Sequence, residues 1–170
     1  MESSADALIP QIRELVAAVG YDLVDVRKRG TGKRLSVQVR IDLAETEPGH
    51  GVTADDCVRA SRAIEAWLDD TGVIGTAYVL EVSSPGIERP IRWPEHWRKY
   101  VGSDVRVKLP DQGRVRATVL GVPDDDTVTL RLDSGREVSV HIQQAKDATL
   151  VVDWSQVDGS LSKTASKERA

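Results

Sequence analysis

The spacing of apolar residues changes partway along this chain, and that change limits its fold more than any other feature. Over residues 5–19, Leu8, Ile12, Leu15, Val16 and Val19 recur at helical spacing. Over residues 34–42 the period drops to two, with Leu35, Val37, Val39 and Ile41 on one side and Ser36, Gln38, Arg40 and Asp42 on the other. Helical spacing returns after Thr53, in Cys57, Ala60, Ile64, Trp67 and Leu68. Beyond residue 104 the long apolar pattern has period two alone. The chain therefore predicts an α/β segment followed by an all-β one.

The first segment reads as α-β-β-α-β. Ser4 or Asp6 is placed to cap the first helix, Pro10 favours a late start, and Gly20 is placed to end it. Residues 21–29 and 34–42 form two strands joined by a hairpin at Gly30-Thr31-Gly32-Lys33. Arg27, Lys28, Arg29, Lys33 and Arg34 crowd that tip, as a phosphate grip or as a solvated hairpin end. Thr53 caps the second helix with Asp56 three residues on, and Gly72 stops it. Residues 77–83 supply a third strand, with Tyr78, Leu80 and Val82 on one side. Two amphipathic helices are available to cover one apolar sheet face, which predicts a two-layer α/β sandwich.

The second segment begins with a short helix at 94–101, Pro94 at its start and Gly102 after it. Five alternating stretches come next. Their apolar positions are Val105, Val107 and Leu109; Val115, Ala117 and Val119; Val128, Leu130 and Leu132; Val138, Val140 and Ile142; and Leu150 and Val152. Short strands at this spacing predict a small antiparallel β barrel. Gln143-Gln144-Ala145 suits the short helical turn of an SH3-like barrel. The fold class is thus α+β, with domains at 1–91 and 92–154. Residues 155–170 are polar and lack a hydrophobic pattern, as in a disordered tail.

Between the domains lies Ser83-Ser84-Pro85-Gly86-Ile87-Glu88-Arg89-Pro90. Proline presets one dihedral and glycine supplies a positive one, so Pro85-Gly86 marks a sharp turn, and Pro90 and Pro94 stiffen the chain beyond it. Ser84, Pro85, Gly86, Glu88, Arg89 and Pro90 are therefore candidates for an interdomain hinge. Such a connector holds two domains at a restricted angle or touches a partner itself.

The formal net charge is −4, so a nucleic-acid partner requires a local basic patch, and a basic protein partner would suit the acidic balance. By strand parity Arg106, Lys108, Arg114 and Arg116 all point away from the apolar face of the first barrel hairpin. That stripe fits RNA phosphate, and it also fits an ordinary solvated exterior. The turn Asp124-Asp125-Asp126 suits a basic protein or plain solvent.

Chemistry-bearing patterns are scarce. His50, His96 and His141 lack metal-ligand spacing, and neither a P-loop nor a dinucleotide fingerprint is present. Cys57, the single cysteine, sits on the apolar stripe of the second helix as a small core residue. Ser83 and Ser84 lack the Gly-x-Ser-x-Gly of a nucleophile turn. No catalytic residue, metal site or cofactor is expected. With no apolar run long enough for a membrane span and an acidic, polar N-terminus, the chain is expected to be cytoplasmic.

The stretch from Tyr78 to Ile91, Tyr-Val-Leu-Glu-Val-Ser-Ser-Pro-Gly-Ile-Glu-Arg-Pro-Ile, resembles the signature of the bacterial ribosome maturation factor RimP family. Asp56-Cys57-Val58-Arg59-Ala60-Ser61-Arg62-Ala63-Ile64 resembles that family's second helix, and Trp97-Arg98-Lys99-Tyr100-Val101-Gly102 resembles its segment beyond the junction, where phenylalanine often comes first. The resemblance covers roughly residues 7–154. Glu88 stands where aspartate is commoner, and Ile87 and Ile91 where leucine is. The resemblance implies an SH3-like or Sm-like second domain and a non-enzymatic, monomeric factor that binds the free small ribosomal subunit. It also implies contact with a basic small-subunit ribosomal protein near the decoding region, with ribosomal RNA within reach. The stripe Arg106, Lys108, Arg114 and Arg116 is then the candidate ribosome contact. A general Sm-like RNA-binding module is the alternative reading. The aromatic poverty of the strands counts against that alternative, since base stacking needs aromatic platforms.

Overall fold

The computed structural model describes residues 7–30, 35–44, 51–75 and 77–151. The expected tail at 155–170, the caps Ser4 and Asp6, and the hairpin tip with Lys33 and Arg34 lie outside these residues. The chain is α+β and divides into two compact units, Met1–Pro90 and Ile91–Ala170. No helix among the described residues is long and apolar enough to cross a membrane.

In the first unit, helix α1 spans Ile9–Ala18, β1 Tyr21–Arg29, β2 Leu35–Leu43, α2 Ala54–Thr71 and β3 Tyr78–Ser83. Helix α1 starts later than the periodicity suggested. Its N-cap is Leu8, which offers no side-chain hydrogen bond, and Pro10 sits in the first turn, where a missing N–H costs little. The three strands lie in the order β1-β2-β3, with β1 antiparallel and β3 parallel to β2. A parallel neighbour requires a crossover, and α2 supplies it. Helix α1 packs on β1, α2 on β3, and the helices touch each other. Ile12 and Val16 of α1, Val37, Val39 and Ile41 of β2, and Ala60, Ile64 and Leu68 of α2 are completely buried. Cys57 is half-buried rather than a core residue, and burial pushes its thiol pKa up, away from reactivity.

The start of α2 is closed by a full capping box. The Asp56 N–H donates to Thr53 Oγ1 at 3.3 Å, and Asp56 Oδ2 accepts from the Thr53 N–H at 2.7 Å. The other carboxylate oxygen accepts from the Tyr21 hydroxyl at 2.6 Å, and Arg59 donates to that hydroxyl at 2.8 Å. The cap thereby ties α2 to β1. The Tyr21 hydroxyl, and then the Thr53 N–H and hydroxyl, hold the Asp56 carboxyl down at about 2. A depressed carboxyl contributes stability above its ordinary pKa and loses it as pH falls through the folded value. Acid titration of the first unit, followed by circular dichroism, should show stability declining between about pH 4 and pH 2. Asp56→Asn should flatten that decline.

In the second unit, α3 spans Pro94–Lys99, and the strands are β4 Asp104–Leu109, β5 Gly113–Asp124, β6 Thr127–Leu132, β7 Glu137–His141 and β8 Lys146–Leu150. A short 3-10 turn, Ile142–Gln144, stands before the last strand, as Gln143-Gln144-Ala145 suggested. The strands form one antiparallel sheet in the order β7-β6-β5-β4-β8. Among the described residues no ladder joins β7 to β8, so the hydrogen-bonded sheet is not a closed barrel. Strand β5 pairs with both β4 and β6, and two register shifts, between Val119 and Gly121 and between Gly121 and Asp124, bend it. One face of the sheet is apolar. Val105, Val107, Val119, Val128 and Leu130 are fully buried there, together with Trp97 of α3. Ile91 opens the unit in the same core, its N–H donating to the Ala148 carbonyl at 2.9 Å.

Candidate functional site

The outer face of the five-stranded sheet is set by its register. On β4 the outward positions are Asp104, Arg106 and Lys108, because Val105, Val107 and Leu109 point into the core. Arg106 lies opposite Arg116 and Lys108 opposite Arg114 on β5. All four are exposed. The sequence-predicted stripe is thus brought together as two cross-strand rows.

Pairing on the other side of β4 extends both rows. Lys108 also faces Lys146 of β8, and Arg106 faces Thr149. One row is then Lys146-Lys108-Arg114, cation beside cation across three strands. Lys146 reaches this position through a register shift between Arg106 and Lys108. Beside Lys146 stands Asp147, whose φ of 50° is the one positive value at a described non-glycine residue. In an unbroken strand Lys146 would share the side of Ala148, which is buried. Sequence parity therefore missed Lys146. Arg131 of β6 was also missed; it faces outward opposite Thr118 and Glu137.

Six cations share this face with three carboxylates in register, Asp104, Asp124 and Glu137. Asp104 Oδ2 accepts from Arg116 at 2.7 Å and Oδ1 accepts from Thr118 Oγ1 at 2.8 Å. Arg116 first, and then Thr118, hold the Asp104 carboxyl below the ordinary carboxylate range. Arg131 reaches Glu137 at 3.3 Å. Asp104 stands at the start of β4 beside Arg116, Asp124 at the end of β5 and Glu137 on β7, so positive charge is concentrated on the row Lys146-Lys108-Arg114. Like charges directly opposite across strands are destabilising, and the ion pair of Arg116 with Asp104 offsets this in one of the two rows.

The hinge candidates separate into two groups. Ser84, Gly86, Glu88 and the neighbouring Ile87 are exposed, and Pro85 is half-buried. Arg89 and Pro90 are buried. Arg89 is ion-paired to Asp42 of β2, with about 8% and 7% of the side chains exposed. The end of the connector is therefore pinned to the central strand of the first sheet. Gly86 has a φ of +75°, and a Cβ there would meet nothing within 4 Å. Its requirement is conformational, since an L-residue pays roughly 1–2 kcal/mol to hold that backbone region. Gly86→Val should lower the denaturation midpoint of the first unit by an amount equivalent to about 1–2 kcal/mol. Gly86→Asn should lose much less, because asparagine tolerates the left-handed region.

The remaining candidates are self-contained. Asp125 of the acidic turn is ion-paired to Arg98, and the Asp126 N–H donates to Asp124 Oδ1 at 2.9 Å. The second face of the first sheet is polar and mixed in sign: Arg27 meets Asp25 at 2.8 Å, and Gln38 donates to Glu81 at 2.8 Å. Among the described residues no group of three His, Cys, Asp or Glu is placed to hold a metal ion. His96 is buried, its Nδ1 accepting from the Arg92 N–H at 3.3 Å, with its ring edge-on to Trp93.

A family model described as the RimP N-terminal domain matches residues 11–88. The match runs from α1 through the sheet to the connector; it includes Asp42 and stops one residue before Arg89. Residues 11–88 thus carry the N-terminal domain of the RimP family of ribosome maturation factors, and that domain supports a general role in ribosome maturation.

Proposed function

We propose that this chain acts in assembly of the small ribosomal subunit, binding the free subunit while it is still immature. The RimP N-terminal domain over residues 11–88 is the observation that carries this reading. The cationic face of the second unit supports it, since Arg106, Lys108, Arg114 and Arg116 offer clustered positive charge in a chain of formal net charge −4. Within this reading the first unit is a two-layer α/β sandwich and the second an SH3-like barrel, bent at the register shifts of β5. Ser84, Pro85, Gly86, Glu88, Arg89 and Pro90 act as a stiff connector that restricts the angle between the two. A basic ribosomal protein near the decoding region is the second partner, drawn to the acidic remainder of the surface. The factor works in the cytoplasm as a monomer and catalyses no reaction. Many modest contacts hold an immature site until neighbouring RNA and protein settle, and nucleotide hydrolysis by the factor is unnecessary.

Co-sedimentation with isolated small subunits, large subunits and whole ribosomes tests this reading. Selective migration with free small subunits is the expected result. Equal migration with every particle would instead favour a general Sm-like RNA-binding module, and migration with none would remove the ribosome as the partner.

A further inference from the structure

The outer face of the second sheet carries more information than its sign. We propose that Lys146, Lys108, Arg114, Arg106 and Arg116 form a binding surface for the phosphate backbone of double-stranded RNA, reading its shape rather than its bases. This rests on the ribosome-maturation reading and names the chemistry that the cationic face recognises.

Three observations favour duplex RNA over a single strand. First, the cations fill an area. Neighbouring strands stand about 4.8 Å apart and alternate residues about 6.7 Å apart. The row Lys146-Lys108-Arg114 is therefore about 10 Å wide, with Arg106 and Arg116 in a second row beside it. A single strand is usually tracked along a narrow line of charge, whereas a duplex presents two phosphate strands flanking a groove. Second, no Phe, Tyr or Trp stands in register on the described face, and the one imidazole, His141, lies on the edge strand β7 away from the cationic rows, whereas single-strand binding draws much of its energy from stacking bases on aromatic rings. Trp97 is sealed in the core, and Tyr100 packs against that core. Third, the uncharged outward residues in register are the hydroxyl-bearing Thr149, Thr118, Thr127, Thr129 and Ser139, with His141 at the far edge on β7. No amide side chain lies among them to read a base edge. Hydroxyls can meet phosphate oxygens or the 2′-hydroxyls of a shallow RNA minor groove.

The like-charge row supplies the physical reason. Lys108 stands between Lys146 and Arg114, an arrangement of like charges that weakens the sheet when nothing anionic is bound. A polyanion laid across the rows relieves that repulsion and releases its own counterions. Placing a glutamate at Arg114, opposite Lys108, should therefore leave the sheet as stable as before or more so, while removing RNA contact. Opposite effects of one substitution on stability and on binding are not expected of an ordinary solvated face.

The test measures fluorescence anisotropy of the full chain with a labelled twenty-base-pair RNA duplex and with a twenty-nucleotide oligouridine, across a salt series. The duplex should bind at least about tenfold more tightly, with a log–log salt slope of about −3 to −4 for roughly four neutralised phosphates. The double variant Lys108→Glu/Arg114→Glu should weaken duplex binding at least about tenfold and flatten the slope by about two. Its melting temperature should be no lower than that of the parent. Arg131→Glu should change binding less, because Arg131 lies across the sheet beside Glu137. Equal affinity for oligouridine, or an unchanged slope in the double variant, would overturn the duplex surface. Running both proteins through subunit co-sedimentation separates the two levels. If the parent and the double variant migrate equally with small subunits, the maturation reading survives and the duplex surface fails. If duplex binding depends on the face while no subunit is bound, the surface stands and the maturation reading fails.

Discussion

Arg89→Ala should destabilise the first unit by about 3–5 kcal/mol, because it leaves the Asp42 carboxylate buried without its cation. The pair is sealed on both sides, and removal of either partner exposes the other to a large desolvation penalty. Asp42→Ala should cost a similar amount for the mirror-image reason. The double variant Asp42→Leu/Arg89→Met should recover most of the loss, because apolar groups in a buried site need no charge partner. Denaturant unfolding followed by far-ultraviolet circular dichroism measures these differences, and hydrogen exchange assigns them to the first unit. Single variants that lose less than about 1 kcal/mol would place the pair in the class of surface ion pairs and remove the pin on the connector. The double variant also separates stability from function. If Arg89 matters only for folding, the double variant binds small subunits normally; if it holds the connector in a required conformation, binding stays weak although stability returns.

The second large effect concerns Trp97. Its side chain is completely buried among Ile91, Val105, Val107, Val119, Val128 and Leu130, on a helix of only six residues. Trp97→Ala should cost about 3–5 kcal/mol through lost burial and the cavity that remains. A small unit has little stability to spare, so that loss should leave the second unit largely unfolded at 37 °C. Trp97→Phe should be far milder. The indole Nε1 has no hydrogen-bond partner among the described residues, so phenylalanine removes an unsatisfied donor along with some volume. Thermal melts with near-ultraviolet circular dichroism distinguish the variants. A Trp97→Ala protein that melts like its parent would show that the core forms without this anchor.

The residues of the fold most legible in the sequence were those governed by local chemistry. The alternation Leu35, Val37, Val39 and Ile41 was enough to define β2, because side chains on a pleated strand point to opposite faces in turn. Thr53 and Asp56 announced the start of α2 because a capping box closes within three residues. Gly72 ends that helix with a φ of +60°, as expected of a residue with no Cβ penalty. Parity alone placed Arg106, Lys108, Arg114 and Arg116 on one face. The limits appeared where partners lie far apart in sequence. Helix α1 begins at Ile9 without a side-chain cap, since its burial on β1 outweighs the missing local bond.

The sequence by itself determined the periods, the capping box of α2, the Pro85-Gly86 turn and four cations of the stripe, because each is set by interactions within a few residues of the chain. Only the tertiary structure decided which strands become neighbours: β3 lies parallel to β2 beyond the α2 crossover, and β8 returns to the far side of β4. Arg89 meets Asp42 across 47 residues of chain, a pairing that no local pattern encodes. Lys146 joins the cationic row through the register shift beside Asp147, and a shift of one residue exchanges the two faces of a strand. Parity propagates only within an unbroken strand, so the full width of the charged surface emerged when the strands were laid side by side.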